Sequence, residues 1–100
     1  MNKTQSLSLE ALRERIDAID NELLAVLGKR QALVAQVIAV KERDMLPARI
    51  PDRVAEVVDR VMQEAPEHGA SPDLAKAVWT AMIEWFIAFE EKALHQPSQH

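Results

Sequence analysis

Apolar residues recur along the first part of the chain at Leu12, Ile16, Ile19, Leu23, Leu27, Val34 and Val37, and Arg30 and Lys41 complete the series. The steps are all three or four residues, which predicts one amphipathic helix close to heptad spacing. Ser8 is a candidate N-cap, and Glu10 puts an acid in the positive first turn. Nothing breaks the pattern before "DMLPARIP", and Gly28 alone is tolerated. Such a helix runs about 35 residues, or roughly 50 Å. A compact domain of this size has a radius of gyration of only about 13 Å. The helix therefore overshoots any monomeric globule, and half of its stripe needs a second chain. The pattern predicts an intertwined homodimer.

Two shorter helices follow. Pro51 suits a first helical position, with Asp52 beside it. Val54, Val57, Val58, Val61 and Met62 then share one face, and the helix ends near "APEHGASP". Ser71, Pro72 and Asp73 start a third helix. That helix has two apolar faces. One is Leu74, Val78, Ala81, Trp85 and Ala88; the other is Trp79, Ile83, Phe86, Ile87, Glu90 and Leu94. A helix apolar on two sides is expected inside the structure. No run alternates with period two. The expected fold is all-α, a three-helix protomer with one very long N-terminal helix. A single domain covers residues 1–100, with a core of about 9–94 and flexible ends at 1–7 and 95–100.

Composition narrows the classes. Of 100 residues, 48% are apolar, enough for a core, and 28% are charged. The net charge of −4, without a Lys/Arg block, points away from nucleic acid and anionic membranes. Cysteine is absent, so thiolate metal sites and disulfides are excluded. No stretch reads as a signal peptide, and none approaches the roughly 18 apolar residues of a membrane span. A soluble cytoplasmic protein is expected. His68, His95 and His100 lack metal-ligand spacing, so no metal or cofactor is expected. Trp79 and Trp85 read as core residues.

Three charges stand where apolar residues should. Arg30 and Lys41 are eleven residues apart, about three turns, and so point in nearly the same direction. Glu90 continues the Ile83, Phe86, Ile87 stripe. Taken singly, each is explained by a snorkelling side chain or a structural ion pair, with Glu90 partnering Arg30 or Lys41. Together they suggest a pocket for an anion with several carboxylates, because buried charges need compensation. Arg13 is rotated by roughly 100° from Arg30, so it joins such a site only across a dimer. Arg53 is a further cation beside the second helix's stripe.

The segments "LRERIDAIDNELLAVLGKRQALVAQVIAVK", "PDRV" and "MIEWFIAFEEKAL" resemble, in order, the all-helical chorismate mutase family. The resemblance covers roughly 9–94 and lies nearest the family's isochorismate-pyruvate lyase branch. It implies an intertwined dimer with two active sites and no cofactor. By that likeness Arg30 binds a substrate carboxylate within its own subunit, and Arg13 reaches a carboxylate in the partner's site. Lys41 contacts the ether oxygen and a carboxylate. Arg53 lies near the substrate's edge, and Glu90 stands where a glutamine hydrogen-bonds the ether oxygen. Val37, Val57, Ile83 and Ile87 wall the pocket, and Phe86 contacts the substrate.

The implied reaction is the pericyclic rearrangement of chorismate to prephenate, which needs positioning and charge stabilisation but no nucleophile. The alternative is cleavage of isochorismate to salicylate and pyruvate in much the same pocket. Val54, Ile50 and Phe86 replace polar groups found in many mutases, which leans toward the lyase. A different class, a non-catalytic helical dimerisation module, is also open. A glutamate at position 90 must be protonated to donate to an ether oxygen, so activity is expected to rise at acidic pH.

Overall fold

The computed structural model describes residues 8–96. Of the expected flexible ends at 1–7 and 95–100, residues 1–7 and 97–100 lie outside those described. Three α-helices follow one another: α1, Leu9–Asp44; α2, Pro51–Glu64; and α3, Pro72–Ala93. A short 3₁₀ helix, Ala65–His68, separates the last two. There is no strand among the described residues. The all-α expectation holds, and the long first helix has 36 residues. The chain divides into two units, Met1–Ala35 and Gln36–His100.

The described part of the first unit is helix alone. The Ser8 hydroxyl accepts the Ala11 N–H at 3.1 Å, as its capping position predicts. A lone helix has no second layer, and α1 buries none of its residues. Leu23 is 61% exposed and Leu24 64%. α1 also corrects the sequence reading in one respect: by length and composition it is apolar enough to cross a membrane. The sequence reading looked for an unbroken apolar run, which Lys29 and Arg30 interrupt.

The second unit holds a core. Val57 and Val61 of α2 pack with Ala75, Ile83 and Ile87 of α3, and Ala48 and Ala65 join from the connecting segments. Val54, Val58, Trp79 and Leu94 border it. α2 thus buries the valine face its spacing predicts, starting at Pro51. α3 buries one of its two apolar faces. Leu74, Val78 and Trp85 on the other face are exposed, so Trp85 is not a core residue. Within this unit α2 covers α3 from one side, which accounts for the difference. Ser71 occupies the N-cap position of α3, but its hydroxyl makes no capping bond. The Asp73 carboxylate accepts the Leu74 N–H instead, at 3.1 Å.

Three helix ends among the described residues carry a left-handed residue. Gly69 has φ 77°, which glycine adopts without strain. Met45 and His95 each have φ 58° without being glycine. After α1, the Leu46 N–H reaches the Lys41 carbonyl at 2.8 Å; after α3, the Gln96 N–H reaches the Glu91 carbonyl at 2.7 Å. This is the Schellman arrangement, which satisfies the last orphan carbonyls of a helix.

Candidate functional site

Lys41 lies in the last turn of α1, within the second unit. Its ammonium donates to the Glu90 carboxylate at 2.7 Å and to the Ala48 carbonyl at 2.7 Å. Glu90 is buried on α3, as its stripe position predicts. The side chains of this pair are 12% and 10% exposed, so neither charge is freely solvated. The geometry is that of an ion pair, the structural alternative raised by the sequence. An ammonium has three donors, and two of Lys41's have acceptors among the described residues.

The connecting segment between α1 and α2 is held from several sides. The Arg49 guanidinium makes a two-pronged contact to the Glu84 carboxylate of α3, at 2.7 and 2.9 Å. That hydrogen bond, opposed by burial and helped by the attraction of the positive charge, holds the Glu84 carboxyl below its ordinary range. Gln96 binds the same segment through Leu46 and Ala48. A cleft of about 290 Å³ opens there, lined by Lys41, Glu42, Met45, Leu46, Leu94 and Gln96.

The remaining candidates are distributed as follows. Val57, Ile83 and Ile87 sit in the α2–α3 core, and Phe86 is buried edge-on against Trp85, with ring centres 5.0 Å apart. Val37 is exposed. Arg53, in the first turn of α2, is exposed and paired with Glu56 three residues on. Arg13 and Arg30 lie on the α1 segment of the first unit. No group of three or more His, Asp or Glu that could hold a metal occurs among the described residues. The structure thus brings Lys41 and Glu90 together. Periodicity does not point to Ala48, whose contribution is a backbone carbonyl, or to Gln96, which falls in the expected flexible end at 95–100. Gln96 is instead tied down by hydrogen bonds.

The same stretch of chain decides the family. The model of "Chorismate mutase type II" matches residues 12–91, which include Arg13, Arg30, Lys41, Arg53 and Glu90. The chain belongs to the chorismate mutase type II family. Its relatives include a T-protein of Enterobacter agglomerans, 44% identical over 70 residues, or 70% of this chain and 19% of that protein. A chorismate mutase of Methanocaldococcus jannaschii is 26% identical over 88% of this chain and 89% of its own length. A 4-amino-4-deoxychorismate mutase of Streptomyces venezuelae is 27% identical over 95% of this chain and 92% of its own. The chain spans about a fifth of the T-protein it matches. No solved structure matches it significantly. Within the chorismate mutase type II family, then, this chain pairs Lys41 with Glu90, two of the three charges that stand on its apolar stripes.

Proposed function

We propose that the protein is a chorismate mutase, rearranging chorismate to prephenate. One observation carries the reading: in a chain of this family, a nearly buried ammonium at Lys41 is fixed by two acceptors, leaving its third N–H for a ligand. The reaction breaks the ether C–O bond and forms a C–C bond in one electron cycle. No proton, metal or external electron is required. What remains is holding a compact conformer and stabilising negative charge on the ether oxygen.

The roles follow. Lys41 donates its third N–H to the ether oxygen, and its positive charge attracts a substrate carboxylate beside it. Glu90, the carboxylate acceptor of Lys41 in the ion pair, donates to the same oxygen only once acid protonates it. Arg30 binds a carboxylate, and the partner subunit's Arg13 binds the other in a homodimer. Arg53 leaves Glu56 to meet the substrate's edge, and Val37, Val57, Ile83, Phe86 and Ile87 form the apolar boundary. The exposed stripe of α1 supports the homodimer, because a face so apolar needs a covering and a second copy offers its equal.

The assay offers chorismate, isochorismate and 4-amino-4-deoxychorismate separately and follows substrate loss, prephenate and salicylate. Prephenate from chorismate supports the reading. Salicylate from isochorismate alone replaces it with the lyase reading, and turnover of none leaves a dimerisation module. The pH–rate profile tests Glu90: activity rises toward acid in the wild type, and Glu90→Gln removes that rise. An unchanged profile in the variant sinks the protonated-acid role.

A further inference from the structure

Two helix ends close alike and then hold each other. α1 ends through Met45 and α3 through His95, both left-handed without being glycine. Such conformations persist where the surroundings over-determine them. Here the surroundings include one side-chain amide. Gln96 donates from Nε2 to the Leu46 carbonyl at 3.1 Å and accepts the Ala48 N–H on Oε1 at 2.8 Å. Both ends of that amide serve one short segment. Ala48 is buried and turns its carbonyl to the Lys41 ammonium. Glu90, six residues before Gln96 on the same terminal helix and its cap, takes a second donor of that ammonium. Lys41, Ala48, Gln96 and Glu90 therefore form a closed ring through α3.

We propose that Gln96 is a positioning residue for Lys41. By fixing the 46–48 segment it places the Ala48 carbonyl, and that carbonyl together with Glu90 stops the ammonium from rotating. A lysine head on a four-carbon stem rotates about a single acceptor. Two acceptors leave its third N–H one direction. A donor aimed in advance needs no reorganisation as charge develops. Gln96 lies beyond the residues matched by the family model, so that match assigns it nothing. The catalytic half of the proposal rests on the mutase reading; the structural half does not.

The test compares wild type with Gln96→Ala, Gln96→Met and Gln96→Glu. The first readout is proton exchange at the Ala48 amide and the Lys41 ammonium by nuclear magnetic resonance. Exchange at both rises at least tenfold in the Ala and Met variants. In Gln96→Glu, which keeps the acceptor but loses the donor, the Ala48 amide stays protected. The second readout is chorismate turnover: kcat falls about tenfold in Gln96→Met with KM changed less than threefold, and Gln96→Glu recovers part of it. Unchanged exchange at Lys41 overturns the proposal whether or not the protein turns over chorismate. Faster exchange with unchanged kcat in an active enzyme overturns the positioning role. A wild type without turnover refutes the mutase reading, and the exchange readout still decides whether Gln96 holds Lys41.

Discussion

The N-terminal stretch of α1 and the α2–α3 pair carry similar apolar patterns and end in opposite states. In α1, Leu23 and its stripe neighbours are exposed. In α2 and α3, Val57, Val61, Ile83 and Ile87 are buried against one another. Periodicity therefore identifies a face that seeks cover without saying whether the chain itself provides it. α2 and α3 are joined by a short 3₁₀ turn and cover each other. The first unit, helix alone among its described residues, has no such neighbour of its own.

Truncation inside the core should be the most costly test of this contrast. Ile83→Ala is expected to lose about 2–5 kcal/mol in urea unfolding, through lost burial and a residual cavity. A loss below about 1 kcal/mol would break the contrast. Next comes Lys41→Ala, which removes the fixed donor and should lower kcat by about 10²–10³. If turnover survives, the ion pair is purely structural. Leu23→Ala should cost about 0.5 kcal/mol or less in dilute monomer, as exposed substitutions do. Its cost should grow with protein concentration if a second copy covers the stripe. Leu23→Asp should then shift the mass in sedimentation from dimer to monomer.

Two further effects sharpen the second region. Met45 is 90% exposed with φ 58°, so Met45→Gly relieves strain while sacrificing little packing. It is expected to raise stability by about 1 kcal/mol in thermal unfolding. The smallest effect concerns the Arg49–Glu84 pair. Its carboxyl is held below the ordinary value, so its contribution is present above the unfolded pKa of about 4.3 and vanishes as pH falls through the folded value. Half of Glu84's side chain is exposed, which limits the effect to below about 1 kcal/mol. Wild type and Glu84→Gln should therefore differ at neutral pH and converge in acid. A constant gap across pH would assign the effect to packing.

Much of the site was legible because α1 and α3 are regular. On a helix, spacing converts residue number into direction, so the misplaced charges at Arg30, Lys41 and Glu90 could be seen in a single sequence. Arg53 shows the limit: its position beside a stripe was readable, but its pairing with Glu56 depends on which rotamer an exposed side chain adopts. Trp85 shows another limit. Two apolar faces on α3 looked like full burial, yet the neighbour within its unit covers only one.

The helices, the capping of α1 by Ser8, the valine face of α2 and the burial of an acid at Glu90 all follow from local periodicity and residue type. Tertiary structure alone decided that Glu90 meets Lys41, that a carbonyl at Ala48 shares the ammonium, and that Gln96 grips the segment between α1 and α2. The contacts of Glu90 and Gln96 join residues 48 to 50 apart in the chain, and those of Ala48 and Gln96 use backbone groups. Every residue has a backbone carbonyl, and only the path of the folded chain determines which one faces a charge.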